Sequence, residues 1–240
     1  MKIAVQLYSV RDHIQNGDDL LKVLGEVKAL GYEGVEFAGY FGLEPEVIKA
    51  RLDELGLTAV GTHIGVDDYL PENIDKTIAT AKTLGMKNSG VGGGPIGTPE
   101  ELMATAGKMG YGFVKAAKEG ITVYFHNHTR EFEEVGGIQP VDLLKNVCAL
   151  EVDTYWSFCA GVDNYKFITE NKDKICLLHV KDGVDHHPCA LGEGQCDVAA
   201  VVKAAKDNGI EWLVVENDDP TPNGLDDIGR SIKYLKTLIG

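Results

Sequence analysis

Residues 1–31, MKIAVQLYSVRDHIQNGDDLLKVLGEVKALG, contain one complete strand-and-helix unit. Residues 2–8 form a short apolar run that is typical of a buried strand, and residues 18–30 carry apolar side chains at helical spacing. Gly31 follows directly, as expected just past a helix end, where glycine adopts the left-handed backbone conformation without strain. This stretch therefore predicts one βα unit of a parallel sheet.

The same pattern recurs to the end of the chain, and we count eight strands and eight helices. The later strands are predicted at residues 34–37, 58–63, 88–91, 121–125, 149–152, 175–180 and 212–215. Six later helices are predicted at residues 44–55, 71–84, 99–119, 165–171, 198–208 and 225–238, and the helix after the fifth strand is counted without bounds. Eight consecutive units in 240 residues predict an α/β fold, a single (β/α)8 TIM barrel that forms one domain over residues 1–240.

The composition narrows the classes of partner. With 23 basic and 37 acidic residues, the formal net charge is -14, so the protein repels phosphate backbones and anionic lipid surfaces. No apolar stretch approaches the roughly 20 residues that span a bilayer, and residues 1–7 are too short for the apolar region of a signal peptide. The five cysteines form no Cys-x-x-Cys pair and suit a reducing compartment. We therefore expect a cytoplasmic protein with a small-molecule partner, and neither a nucleic acid nor a membrane as partner.

Polar residues stand at the carboxyl ends of most predicted strands. In a barrel of parallel strands these ends meet at one mouth, where barrel enzymes have their active sites. The residues at these ends are Glu36, His63, His126, Asn127, His128, Asp153, His179, Lys181, Glu216, Asn217 and Asp218. The sequence therefore predicts a functional site at this mouth.

Three of these residues indicate a metal site. Asp153, His179 and Glu216 end three adjacent strands, and carboxylate and imidazole ligands suit one divalent ion such as Mn²⁺, Co²⁺, Zn²⁺ or Mg²⁺. Such an ion keeps open positions for substrate oxygens. The alternative for each residue alone is a solvated position at the rim of the barrel.

Six segments together resemble the xylose isomerase-like TIM barrel superfamily of sugar isomerases, epimerases and related lyases. The resemblance spans essentially the whole chain and is greatest to a branch described as sugar phosphate isomerase/epimerase, near the inosose dehydratases. The segments are VQLYSVRD (5–12), YFHNH (124–128), DTYW (153–156) with AGVD (160–163), LHVKD (178–182), LGEG (191–194) and VEND (215–218).

The resemblance implies a set of metal ligands. Members of the superfamily usually bind one divalent ion through a Glu, an Asp, a His and a second Glu from successive strand ends, and Asp153, His179 and Glu216 match the last three. At the first position this chain has His126, with Glu131 just beyond it. The fourth ligand is therefore either Glu131 or His126, and Glu131 is slightly favoured because His126 has alternative roles nearby.

The expected chemistry is removal of a proton next to a carbonyl group that is bound to the metal. Candidate catalytic residues are Glu216, His63, Lys181 and His128, because each ends or nearly ends a strand and can have a pKa tuned toward neutrality. Return of the proton elsewhere gives isomerisation or epimerisation, whereas loss of a β-substituent gives elimination. The residues alone do not choose between these reactions.

Five further residues are candidates for substrate contact: Gln6, Glu36, Asn127, Trp156 and Asp218. Trp156 can form an apolar wall for a sugar ring or pack inside the protein. His63 can likewise be a buried histidine bonded to a neighbouring strand, and Lys181 can simply neutralise Asp182.

We therefore expect a divalent-metal-dependent sugar isomerase or epimerase that acts on a small keto-sugar or keto-polyol. The alternatives are a lyase of the same fold, namely an inosose dehydratase or a 3-keto-glycoside eliminase, and a non-catalytic sugar-binding barrel. The net charge of -14 argues against an endonuclease of this superfamily. A homo-oligomer is common among such barrels by resemblance, but no stretch of the sequence identifies an interface.

Overall fold

The computed structural model describes residues 1–240 and contains ten strands. Eight of them form one parallel sheet in the order β3-β2-β1-β10-β7-β6-β5-β4. A backbone bridge between His63 and Gly90 brings the two ends of this sheet together. The predicted TIM barrel is thereby confirmed. The strands are β1 (Lys2–Gln6), β2 (Gly34–Phe37), β3 (Thr58–Thr62), β4 (Asn88–Val91), β5 (Thr122–His126), β6 (Ala149–Asp153), β7 (Ile175–Val180), β8 (Asp182–Val184), β9 (His187–Cys189) and β10 (Trp212–Val215).

Nine α-helices surround the barrel, and several end at the glycines that the sequence indicated. Gly31, Gly56 and Gly85 follow three helices with positive φ angles of 97°, 62° and 73°. No helix is both long enough and apolar enough to cross a membrane. The helices are α1 (Gly17–Leu30), α2 (Pro45–Leu55), α3 (Ile74–Leu84), α4 (Pro99–Ala117), α5 (Pro140–Val147), α6 (Thr154–Cys159), α7 (Asn164–Glu170), α8 (Val198–Asp207) and α9 (Gly224–Ile239).

Two elements differ from the sequence prediction. The short helix α6 was not expected, because six residues are too few to show helical periodicity. Its first turn is capped by Asp153, whose Oδ1 accepts hydrogen bonds from the backbone N–H groups of Tyr155 and Trp156, both at 2.9 Å. The long connection after β7, for which the sequence predicted no strand or helix, contains the antiparallel hairpin β8–β9.

The interior of the barrel changes from apolar to polar along the strands. A cluster of seven buried residues, including Ala4, Leu177 and Val214, fills the amino-terminal end. Two residues further along the same strands, on the same face, lie Gln6, His179 and Glu216. A larger cluster of 49 buried residues lies between the barrel and its helices. The alternation of side chains thus directs a layer of polar groups toward the mouth.

The hairpin and the loop that follows it are organised around the buried carboxylate of Asp182. Its Oδ1 accepts hydrogen bonds from the backbone N–H groups of Gly183 (2.9 Å) and Cys196 (3.0 Å). Its Oδ2 accepts from those of Gly192 and Gly194, both at 3.0 Å. The Asp182 carboxylate thus accepts four charge-assisted hydrogen bonds, and together they fix the conformation of this segment.

Asp182→Ala should open this segment while the barrel remains folded. The change leaves four backbone donors without their acceptor, and each such loss costs about 1 to 3 kcal/mol until water reaches the group. We expect hydrogen exchange measured by mass spectrometry to rise at least about tenfold over residues 183–196, which corresponds to about 1.4 kcal/mol of local stability. Asp182→Asn retains one acceptor oxygen, so its hydrogen exchange over residues 183–196 should lie between that of the unaltered protein and that of Asp182→Ala. Unchanged exchange in Asp182→Ala would contradict this account of the loop.

Candidate active site

Four side chains from neighbouring strands converge at the carboxyl end of the barrel. We call His126, Asp153, His179 and Glu216 the upper cluster; all four are buried, and their potential ligand atoms lie within 4.8 Å of one another. Nδ1 of His179 is 3.0 Å from Oε2 of Glu216 and 3.1 Å from Nε2 of His126. Nε2 of His126 is also 3.4 Å from Oδ2 of Asp153. Each of the strands β5, β6, β7 and β10 thus brings one potential metal ligand, in the strand or directly after it, to the same point.

A second group lies deeper in the barrel and shares His179. We call Glu36, His63, Glu151 and His179 the lower cluster. Nε2 of His179 is 2.7 Å from Oε2 of Glu36 and 3.2 Å from Oε1 of Glu151. Nε2 of His63 is 2.6 Å from Oε2 of Glu151. His179 therefore presents one ring nitrogen to each cluster.

Glycines make room for the lower cluster. A Cβ atom at Gly61 would lie 2.7 Å from the hydroxyl oxygen of Tyr124 and 3.0 Å from Oε1 of Glu36, and one at Gly92 would lie 2.7 Å from Nδ1 of His63. Because real Cβ atoms do not approach so closely, any larger residue would displace the polar groups. The Tyr124 hydroxyl uses this space to donate a hydrogen bond to Glu36.

Lys181 supplies a buried positive charge beside the upper cluster. Its Nζ is 2.9 Å from Oε2 of Glu216 and 3.3 Å from Oδ2 of Asp153, and it also donates to Asp218. Burial lowers the pKa of Lys181, but the three carboxylates outweigh burial and raise it. Burial raises the pKa of Asp153 and of Glu216, but Lys181 and the nearby histidines outweigh it and lower both. Lys181, Asp153 and Glu216 are therefore charged at neutral pH.

The histidines of the site have contrasting environments. Burial lowers the pKa of His128 to about 3, with a further contribution from the neighbouring His126, so His128 is neutral at physiological pH. Burial also lowers the pKa of His63 and His179, but the carboxylates of Glu36 and Glu151 outweigh burial and raise both. His63 and His179 are held by carboxylates, whereas His128 is not.

A cavity of about 520 Å³ lies above the two clusters, a volume suited to a small ligand. His63 and Glu216 connect the cavity to the lower and upper clusters respectively. Its lining residues are Tyr8, Ala38, His63, Gly92, His126, His128, Trp156, Glu216 and Asp218. The predicted catalytic residues His63, His128 and Glu216 thus line one space, and Lys181 lies in the wall beneath it.

Glu131, the favoured candidate for the fourth ligand, lies outside both clusters. Its Oε2 accepts a hydrogen bond from the backbone N–H of His128 at 2.7 Å, and its Oε1 is 3.4 Å from Nε of Arg130. Burial raises the pKa of this carboxyl group. The carboxylate therefore closes the short turn Thr129–Phe132, and His126 lies with Asp153, His179 and Glu216 in its place.

The five residues suggested for substrate contact fall into two sets. Trp156 and Asp218 line the cavity. Gln6 and Glu36 are completely buried below it, where Nε2 of Gln6 donates to Oε2 of Glu36 at 2.8 Å. Oδ1 of Asn127 accepts from the backbone N–H of Asp153 at 3.1 Å, so this side chain links β5 to β6. Of these five residues, Trp156 and Asp218 are the two that are placed to touch a molecule in the cavity.

Glu151 contacts both His63 and His179 and was not predicted from the sequence. It stands two residues before Asp153 on β6, so the two side chains point to the same face of the strand. Its position two residues before Asp153, in the same predicted strand, is the sequence feature that could have identified it.

Residues 24–238 match the family model of the xylose isomerase-like TIM barrel. The chain belongs to this family. As a member of the family it has the barrel that the sequence predicted, with the two clusters at the barrel's carboxyl end. No curated protein matches the sequence.

Several solved structures share the fold. A sugar phosphate isomerase/epimerase from Parabacteroides distasonis ATCC 8503 aligns with a TM-score of 0.81 and 22% identity over 98% of each chain. An L-ribulose 3-epimerase aligns with a TM-score of 0.78 and 15% identity over 99% of this chain and 94% of that one. The probable 3-DHS dehydratase AsbF from Bacillus anthracis has a TM-score of 0.78 and 15% identity over 98% of this chain and 99% of its own. At such identities the likeness concerns the fold alone.

The upper cluster fits a divalent metal ion by the chemistry of its donors. Two imidazoles and two carboxylates suit Mn²⁺, Co²⁺ or Zn²⁺ better than Mg²⁺, which prefers oxygen ligands. The contacts of Nε2 of His179 with Glu36 and Glu151 leave Nδ1 directed at the upper cluster. Ligating histidines in proteins usually have such a carboxylate partner on the second ring nitrogen.

Proposed function

We propose that this protein is a divalent-metal-dependent sugar isomerase or epimerase that acts on a small keto-sugar or keto-polyol. The observation that carries the proposal is a buried two-histidine, two-carboxylate cluster that borders a cavity of about 520 Å³. His126, Asp153, His179 and Glu216 would hold the ion. When bound there, a divalent ion supplies Lewis acidity that stabilises negative charge developing on a substrate oxygen.

The residues around the cavity have distinct roles in this proposal. His63 accepts the proton next to the carbonyl group, because Glu151 binds its Nε2 and its ring lines the cavity. Neutral His128 hydrogen-bonds a substrate hydroxyl, and the Trp156 ring packs against the apolar face of the sugar. Lys181 neutralises part of the carboxylate charge and so keeps Asp153 and Glu216 ionised.

A lyase of the same fold is the second candidate, and the position of the carboxylates favours it. Among the residues that line the cavity, the carboxylates are Glu216 and Asp218, which both follow β10 and lie on one side. Epimerisation with two bases needs acid and base groups on opposite faces of the sugar. At the end of β5 this chain has His126 in place of the glutamate that the resemblance to epimerases implies there. With His63 as the proposed proton acceptor and no carboxylate opposite Glu216 and Asp218, removal of one proton followed by loss of a β-substituent suits the site.

Proton exchange in deuterated water tests the proposal and separates the two reactions. Metal-free protein is reconstituted with Mn²⁺, Co²⁺ or Zn²⁺ and mixed with a panel of ketohexoses, ketopentoses, inososes and 3-keto-glycosides. We expect metal-dependent incorporation of deuterium next to the carbonyl group, seen by NMR. A new ultraviolet absorption of an unsaturated ketone would favour the lyase. A protein that binds none of these metals and exchanges no proton would refute both.

A further inference from the structure

We propose that Glu151 is a positioning residue that orients two histidines of the site at once. Through Oε2 it directs His63 toward the cavity, and through Oε1 it directs His179 toward the upper cluster. The inference rests on the function proposed above and assigns a role to a residue that lies outside the ligand set and does not line the cavity.

The contacts of Glu151 are confined to these two rings. Its Oε2 lies 2.6 Å from Nε2 of His63, and its Oε1 lies 3.2 Å from Nε2 of His179 without the geometry of a full hydrogen bond. The side chain is completely buried, and no other group of the protein satisfies Oε1. Because an ionised carboxylate is costly in a barrel interior, its only compensation there comes from the two imidazoles.

Glu36, the other carboxylate of the lower cluster, has a different set of partners. It contacts His179 at 2.7 Å and His63 at 3.5 Å, but it also accepts hydrogen bonds from Gln6 and Tyr124. These neutral donors hold Glu36 in place independently of the histidines. Glu151 therefore joins the proposed proton acceptor to the proposed metal ligand with no further anchor of its own.

The effect on each ring follows from the chemistry of imidazole. A neutral imidazole carries its hydrogen on one nitrogen, and a carboxylate acceptor draws the hydrogen to the nitrogen that faces it. With Nε2–H facing Glu151, the lone pair of His63 is on Nδ1, beside Gly92 in the cavity wall. In His179, Nε2 faces Glu151 at 3.2 Å and Glu36 at 2.7 Å, so Nδ1, 3.0 Å from Oε2 of Glu216, is the nitrogen left for a metal ion.

Glu151→Gln tests this role because it removes the charge but keeps the volume. One amide oxygen can serve one histidine, and the amide N–H₂ then faces a ring N–H of the other, so one ring must turn or change its tautomer. We expect Zn²⁺ to bind about 10- to 100-fold more weakly by calorimetry. We also expect the ¹⁵N NMR signals of His63 or His179 in the metal-free protein to shift from their positions in the unaltered protein.

Two variants serve as comparisons. Glu211→Gln also removes one carboxylate, but Glu211 is an exposed partner of Lys2 at the opposite end of the barrel, so it should bind Zn²⁺ as the unaltered protein does. His63→Gln retains a donor toward Glu151 and removes the proton acceptor. It should bind Zn²⁺ within about threefold of the unaltered protein and lose proton exchange. Glu151→Gln should lose both properties.

The outcomes separate this inference from the proposed function. If Glu151→Gln binds Zn²⁺ with unchanged affinity and the histidine signals do not move, the positioning role is refuted while the metal site stands. If the unaltered protein binds no metal, the proposed function itself fails. Should Glu151→Gln not fold, Glu151→Asp serves instead, because its shorter side chain keeps the charge but moves it away from the two imidazole rings. Unchanged Zn²⁺ affinity and unchanged histidine signals in Glu151→Asp would likewise overturn the positioning role.

Discussion

Replacing Lys181 with methionine lowers the free energy of unfolding of the metal-free protein by about 3 to 5 kcal/mol. The Lys181 ammonium is completely buried and contacts Asp153, Glu216 and Asp218. Methionine fills much of the same volume but leaves these carboxylates without their counter-charge. Urea denaturation in the presence of a chelator, followed by circular dichroism, measures the loss.

Metal addition makes this prediction specific. A divalent ion in the upper cluster replaces the lost positive charge, so Zn²⁺ should restore more stability to Lys181→Met than it adds to the unaltered protein. Lys203→Met is the matched control, because Lys203 pairs with Asp207 on the exposed surface of α8 and its loss should leave the denaturation midpoint unchanged. Equal stability of Lys181→Met and the unaltered protein without metal would show that the buried charges are not coupled as described.

Glu216→Gln should reduce proton exchange on the substrate by about a thousandfold or more. Glu216 contacts His179 within the upper cluster, contacts Lys181 and also lines the cavity. The amide that replaces it is a weaker metal ligand than a carboxylate, whereas the fold should persist because the volume is kept. The rate of deuterium incorporation at saturating metal measures the effect.

Glu133→Gln provides the control for this loss, since Glu133 is exposed just beyond the turn that follows β5. It should exchange at the rate of the unaltered protein. Exchange by Glu216→Gln within about tenfold of that rate would remove Glu216 from the proposed set of metal ligands.

The barrel could be predicted because its signals are local and repeated. Each strand is a short apolar run, and helices such as α1 end at a glycine that must adopt positive φ. Predicted bounds for β2 and β7 agree with the structure. The elements that the sequence did not show, α6 and the β8–β9 hairpin, are fixed by Asp153 and Asp182 through hydrogen bonds to backbone groups, which leave no periodic pattern.

The site was predictable where its residues end strands and was missed where they lie inside strands. Asp153, His179 and Glu216 follow apolar runs, and barrel topology alone brings them together. Glu151 and Tyr124 lie within the runs, and the sequence does not show that glycines at positions 61 and 90 open space for a polar layer. Nor does spacing show that the Glu131 carboxylate turns back to accept a hydrogen bond from the backbone N–H of His128.

Metal content of the purified protein, measured by mass spectrometry after reconstitution and removal of excess ion, decides whether the upper cluster binds a metal ion. We expect about one divalent ion per chain, lost in Asp153→Asn and retained in Glu133→Gln. An unaltered protein that retains no divalent ion, or an Asp153→Asn variant that retains it as tightly as the unaltered protein, would contradict the assignment of the upper cluster as a metal site.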